Sequence, residues 1–210
     1  MARYIGPVCR LCRREGIKLM LKGIRCETAK CPMERQWRNA PPGMHGKWKR
    51  RKGSDYGTHL RETQKVKRYY GVFDRQFRNY FSMAERAKGN TGNVLMSILE
   101  RRLDNVIWKL GFAPSPKAAR VAVVHGHFMV NGRRVNRPSY LVSEGDRIGV
   151  KTSERSKNFI KASLGEGAPP LQDWLSLDAE KLEATVNALP THDDVQIPVE
   201  VQLIVEMCSR

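Results

Sequence analysis

Four of the five cysteines crowd the first 31 residues, spaced as Cys9-x2-Cys12-x13-Cys26-x4-Cys31. Two close pairs joined by a spacer of this length predict a four-thiolate metal site. Each pair binds from a tight turn, and the spacer returns the chain to complete a tetrahedron with metal–sulfur bonds of about 2.3 Å. Soft thiolates suit zinc or, alternatively, an iron–sulfur cluster, and spacing does not choose between them. Four protein ligands leave no open position for a reacting water, so the expected role is structural. Disulfides are the competing reading. The opening residues Met1-Ala2-Arg3-Tyr4 lack the apolar run of a secretory signal, which argues against them. Arg10, Arg13, Arg14, Lys22 and Arg25 flank the cysteines and would offset thiolate charge. Cys208 stands apart among apolar residues and reads as an ordinary buried thiol.

Charge narrows the partner. Residues 1–90 hold 23 Lys and Arg against 7 Asp and Glu, an excess of +16, and residues 91–160 hold 12 against 5, or +7. Residues 161–210 reverse the sign with 3 against 9, or −6, and the chain totals +17. Self-repulsion of this size is relieved by counterions or phosphates, so the basic regions are expected to meet a polyanion. No stretch approaches the ~20 apolar residues of a membrane-spanning helix. With 210 residues, of which 40% are apolar, the chain can build small cores but not one large sheet covered on both faces. A cytoplasmic location is expected.

Local signals divide the chain further. Pro41 to Gly57, carrying Lys47, Lys49, Arg50 and Arg51, reads as a linker or RNA-tracking arm. Thr58 to Tyr70 reads as a basic helix whose Arg61, Lys65, Lys67 and Arg68 are candidate RNA contacts, as is Arg78 further on, and Gly71 ends it. Phe73, Phe77, Tyr80, Phe81 and Ala84 give a second helix an apolar stripe, with Arg78 off that stripe. Apolar residues from Val94 to Leu110 recur every three or four positions, which predicts a single amphipathic helix stopped by Gly111. Arg101, Arg102 and Lys109 fall on its other faces. Ser115-Pro116 supplies a cap and a first-turn proline for a short helix ending at Gly126. Asn131-Gly132 predicts a hairpin between residues 128–130 and 133–135. A second hairpin is expected between residues 140–142 and 147–150, followed by a loop from Gly165 to Pro170. Trp174 to Leu177 suits a strand, and Val195 to Met207 mixes strand and helix signals.

Certain residues carry a family resemblance. Arg101-Arg102-Leu103-Asp104-Asn105-Val106, Leu110-Gly111-Phe112-Ala113, and His125-Gly126-His127-Phe128-Met129-Val130-Asn131-Gly132 resemble the RNA-binding module named after ribosomal protein S-four. Ser54-Asp55-Tyr56-Gly57, Tyr70-Gly71-Val72, Arg75-Gln76-Phe77-Arg78, Gly89-Asn90-Thr91-Gly92 and Leu203-Ile204-Val205-Glu206 extend the likeness to the uS-four family of bacterial small-subunit ribosomal proteins. The four cysteines mark a four-cysteine variant, since some members lack them. At position 116, Pro stands where the family more commonly has a basic residue, with Lys117 beside it. The resemblance implies a structural protein of the small subunit that binds its ribosomal RNA at a junction in the 5′ domain and nucleates assembly. It also implies contacts with neighbouring small-subunit proteins, a part in translational accuracy, and a place near the channel by which messenger RNA enters. Lys47, Lys49, Arg50 and Arg51 are the candidates for that channel.

Recognition of folded RNA relies on backbone contacts, because the A-form major groove is too narrow for side chains. The free N–H groups after Ser115, together with Arg101, Arg102, Lys109, Lys117, Arg120, Arg133 and Arg134, are therefore expected to contact phosphates. One enzyme reading competes. Arg102-Leu103-Asp104 mimics the catalytic Arg-Leu-Asp of pseudouridine synthases, but too little chain follows the module for a catalytic domain. Asp104 is expected to orient a neighbouring arginine, and no catalytic activity is expected. The predicted fold is α+β: a metal knuckle at 1–45 and a basic helical domain at 46–97, then the helix-turn-helix and antiparallel β module at 98–162. An acidic segment at 163–210 would pack on the others.

Overall fold

The computed structural model describes residues 3–44, 53–164, 170–191 and 193–209. The chain forms two compact units. One comprises residues 1–21, 25–96 and 195–210, the other residues 22–24 and 97–194. The acidic C-terminal segment is divided between the two units.

The first unit is helical. Helix α1 (Cys9–Glu15) closes on Gly16, whose φ of 74° is left-handed. Helix α2 (Asp55–Tyr69) starts where the Ser54 hydroxyl accepts the Gly57 N–H. Helix α3 (Asp74–Arg86) buries Phe77, Tyr80, Phe81 and Ala84, the stripe expected from their spacing. The C-terminal residues, ambiguous in sequence, form helix α8 (Val201–Cys208), which packs on α2. His59 on α2 fastens it through Glu206, with Nε2 and Oε2 2.8 Å apart.

The single helix expected over 94–110 is two. Helix α4 (Thr91–Glu100) ends, and helix α5 (Leu103–Lys109) begins after Arg102 adopts an extended backbone with ψ of 132°. The cause is a long-range pairing. Arg102 bridges Leu141, the Leu103 N–H donates to Tyr140 O, and the Val142 N–H donates to Arg101 O. Residues 140–142, expected as a hairpin strand, are used in this bridge instead. Helix α6 (Pro116–His125) has the expected ends: Ser115 Oγ accepts the Ala118 N–H, and Gly126 closes the helix with φ of 72°.

The second unit adds a five-stranded antiparallel sheet, ordered β2-β1-β3-β5-β4. Strands β1 (Phe128–Val130) and β2 (Arg133–Arg134) flank Asn131 and Gly132, both with positive φ, as a tight hairpin turn requires. Strand β3 (Arg147–Val150) pairs with β1 rather than with residues 140–142. Helix α7 (Glu154–Ser163) then precedes β4 (Leu175–Asp178) and β5 (Glu183–Val186). Helix α7 and strand β5 carry no clear sequence signal. The expected Gly165–Pro170 loop lies outside the described residues except for Pro170. Phe112 and Phe128 meet in the core with ring centroids 5.9 Å apart. Among the described residues no helix is long and apolar enough to cross a membrane.

Candidate nucleic-acid interface

The predicted RNA-binding cations fall into two groups, and burial separates them. Arg102, Lys109, Arg120 and Lys67 are buried, with at most 9% of each residue exposed. A cation out of water requires a counter-charge, and each has one. Arg102 Nη2 lies 3.0 Å from Asp104 Oδ2, and Arg120 Nη1 reaches the same oxygen at 3.4 Å. Lys109 Nζ donates to Glu100 Oε2 and Gln172 Oε1, each at 2.6 Å, and to Asp194 O at 3.3 Å. Burial pulls the Lys109 ammonium below its ordinary value and the Glu100 carboxylate pulls it back up. Lys67 Nζ pairs with Asp74 Oδ1 at 2.5 Å and lies 5.3 Å from the Phe77 ring centre. The expectation that Arg102, Lys109, Arg120 and Lys67 present free charge to RNA is therefore corrected: they fasten the fold from inside. Asp104 orients arginines, as its position suggested.

The second group is exposed or half-buried. Lys117, on the first turn of α6, is exposed, and Ser115 is half-buried as that helix's cap. Arg133 and Arg134 are exposed on the edge strand β2. Arg134 Nη2 donates to His125 O at 3.2 Å, laying its guanidinium over Gly126 at the end of α6. Arg101 is half-buried, and its Nε donates to Val142 O at 2.7 Å. In the first unit Arg78 is exposed and pairs with Asp74 at 2.9 Å. Lys65 is held by Glu62 at 2.6 Å and by Pro198 O at 3.3 Å. Arg61 and Arg68 both reach Glu15 Oε1. Lys47, Lys49, Arg50 and Arg51 lie outside the described residues.

Other cations were missing from the expected set. Arg147, Lys151, Arg155, Lys157 and Lys161 are exposed in the second unit, three of them on α7. His127 Nδ1 sits 2.9 Å from Ser156 Oγ, and its ring stacks on Phe159 at 5.4 Å, which holds α7 against the start of β1. Burial pushes His127 below its ordinary value, and the charges of His125, Lys151 and Arg134 push it further. His125, Lys151 and Arg134 thus lie close enough to His127 for their charges to act on it. The basic residues after β3 were the available signal, but no helix was expected there to order them.

The cysteines are brought together. All four are free, Cys9 and Cys12 one turn apart on α1, and Cys12, Cys26 and Cys31 are buried. Burial raises the Cys12 thiol, the Leu19 N–H bonded to its sulfur lowers it, and Cys26, Cys9 and Cys31 each raise it further. The other three thiols thus lie near enough to Cys12 to act on it, and four thiols are a donor set of the soft kind. Among the described residues, however, no group of three or more His, Cys, Asp or Glu side chains is arranged to hold a metal ion.

Residues 3–100 match the ribosomal protein S4/S9 N-terminal domain family, and residues 101–148 match the S4 domain family. Small ribosomal subunit protein uS4 of Halothermothrix orenii is 57% identical over 212 residues, covering all of both chains. The uS4A protein of Symbiobacterium thermophilum is 54% identical over 210 residues and the uS4 protein of Thermus thermophilus 51% over 214, again over the full length of each. The chain belongs to the uS4 family. The two uS4 family segments meet between residues 100 and 101, where α4 gives way to the extended Arg102. The uS4 N-terminal segment contains all four clustered cysteines and helices α1, α2 and α3. The S4 segment contains the buried Asp104 network and the Arg133–Arg134 edge.

Proposed function

We propose that this chain is a structural constituent of the small ribosomal subunit, acting in the cytoplasm by binding ribosomal RNA rather than by catalysis. The observation that carries this reading is the sorting of charge. Buried cations are matched by carboxylates, while Lys117, Arg133, Arg134, Lys151 and Lys157 remain exposed on a rigid module. Exposed cations on an ordered scaffold bind phosphates without reading base edges, which suits folded RNA. Asp104 is buried between two arginines, where no substrate base can reach it.

In finer terms, the protein binds a junction in the 5′ domain early, nucleates assembly, contacts neighbouring small-subunit proteins and supports translational accuracy. Lys47, Lys49, Arg50 and Arg51 border the channel that messenger RNA enters. Cys9, Cys12, Cys26 and Cys31 hold zinc, with an iron–sulfur cluster as the alternative, and the ion ties the cysteine segment together. Support comes from the thiolate spacing and from the mutual electrostatic influence of the four buried or half-buried thiols.

Sedimentation of salt-washed small subunits tests the main reading: the protein should remain in stoichiometric amount and protect 5′-domain RNA from chemical probes. Release to the top of the gradient, with no protected RNA, would overturn it. Metal analysis of the purified chain should give one zinc per protein, lost in Cys26→Ser together with protease resistance of the first 45 residues. Metal-free protein with an equally resistant segment would refute the metal site.

A further inference from the structure

Helix α2 carries Arg61 and Arg68 seven residues apart, two turns along one face. Both guanidinium groups turn to the same atom, Oε1 of Glu15 at the C-terminal end of α1: Arg61 Nη1 at 3.2 Å, with Arg68 Nη1 closing on it from the other side. The Glu15 side chain is only 1% exposed, whereas those of Arg61 and Arg68 are 33% and 23% exposed. The carboxylate is therefore underneath and the two guanidinium groups are the surface. Each guanidinium has five N–H donors, and neither makes another hydrogen bond among the described residues.

As a stabilising device this arrangement is poor. Glu15 Oε2 is buried with no hydrogen-bond partner among the described residues. Desolvating a carboxylate and leaving one oxygen unmatched offsets most of what an ion pair gains. The surroundings are also over-supplied with positive charge. Arg68, Arg61, Arg14 and Lys65 all act on the one carboxylate, and Arg68 and Arg14 in turn repel Arg61. One acid amid this many cations leaves a local demand for a second anion on the solvent side.

We propose that Glu15 is a positioning residue that holds Arg61 and Arg68 as a preformed clamp for one phosphodiester group of RNA. The clamp rests on the RNA-binding reading above and gives it a defined subsite. Glu15 supplies the inner anion, which lets two like charges converge. The phosphate supplies the outer one and accepts the planar N–H pairs that lysine cannot offer. Because the arginines are already convergent, binding loses less side-chain entropy than it would with free rotamers.

The sign of one substitution separates this from simple charge attraction. Glu15→Gln keeps the shape and adds a unit of positive charge, so charge alone predicts tighter binding of RNA. The clamp predicts weaker binding, by roughly 3- to 10-fold at fixed salt. The full-length protein is titrated with a transcript of the small-subunit 5′ domain, with circular dichroism and metal content confirming that α1 remains folded. Arg61→Lys/Arg68→Lys, which keeps the charge and loses the fork, should give a similar loss with an unchanged salt slope. If Glu15→Gln misfolds, this second variant decides. Glu15→Gln or the double lysine variant binding as well as wild type, or better, overturns the clamp. Failure of the wild-type protein to bind the transcript sinks the RNA-binding reading itself, which the variants alone do not.

Discussion

The buried pair of Lys109 and Glu100 makes a quantitative demand on the module. Both side chains are fully buried, 2.6 Å apart, and the lysine also donates to Gln172 and to Asp194 O. Lys109→Met removes the cation and leaves the carboxylate without its counter-charge. The glutamate, its Oε2 still accepting from Asn105 Nδ2, then either stays charged in the interior or takes up a proton. Taking it up at pH 7 costs about 1.36 kcal/mol for each unit above the ordinary glutamate value near 4.3, or roughly 3.7 kcal/mol. That agrees with the ~3–5 kcal/mol expected for breaking a buried pair, and it is a large share of the ~5–15 kcal/mol that holds a domain together. Urea unfolding followed by tryptophan fluorescence reads it, since Trp108 and Trp174 are both buried in this unit. At pH 5 the same proton uptake costs only about 1 kcal/mol, so the defect should shrink on acidification. Adding Glu100→Gln to Lys109→Met should restore most of the loss. A defect below about 1 kcal/mol at pH 7, or strict additivity of the two substitutions, would refute the reasoning.

Two shorter predictions follow from the same geometry. Asp74 is held below its ordinary value of 3.8 chiefly by the hydrogen bond from Lys67, so its contribution is present above that value and is lost as pH falls through the lower folded one. Asp74→Asn should flatten the acid limb of the stability profile in that window, and an unchanged limb would exclude the pair as its source. Gly126 and Gly132 both have left-handed φ, so alanine at either should cost about 1–2 kcal/mol of thermal stability. Only at Gly126 would the new methyl group displace the Arg134 guanidinium, so only Gly126→Ala should also weaken RNA binding.

Local chemistry was legible in the sequence, and long-range pairing was not. The ends of α6 at Ser115 and Gly126, and the turn at Asn131-Gly132, follow from residues that satisfy or strain their own backbone. The break between α4 and α5 could not be read, because apolar periodicity runs straight through it and the cause, Leu141, lies 39 residues beyond Arg102. Strand β5 pairs with β4 just before it and with β3 far earlier in the chain, and its own four residues alternate too briefly to signal it. The candidate site divides the same way. Arg133 and Arg134, expected as phosphate contacts from the hairpin, are exposed on a two-residue strand beside its turn. Lys109 and Arg120 looked like surface charges because sequence shows a cation but not the carboxylate that will bury it. Arg61 and Arg68 were legible as basic, but their partner Glu15 is 46 and 53 residues away.

These failures share a cause that bears on how the protein works. Net charge counts acids as subtracting from the attraction for a polyanion. In this fold three acids of the basic regions do something different. Glu100 and Asp104 sit beneath the surface against Lys109, Arg102 and Arg120, and Glu15 lies under Arg61 and Arg68. A carboxylate buried behind a cation is far less effective against an approaching phosphate than one beside it, because solvent and intervening charge screen it. It does, however, fix where the cation points. Around Arg61 and Arg68, which are part-exposed over a buried Glu15, the short-range field at the surface is therefore more positive than the formal charge implies, and it is attached to a rigid helix. A chain with the same composition but with Glu15 exposed beside Arg61 and Arg68 would keep the +17 and lose this geometry. Glu15→Gln is the sharpest instance, since only a positioning role makes removing a negative charge weaken the hold on RNA.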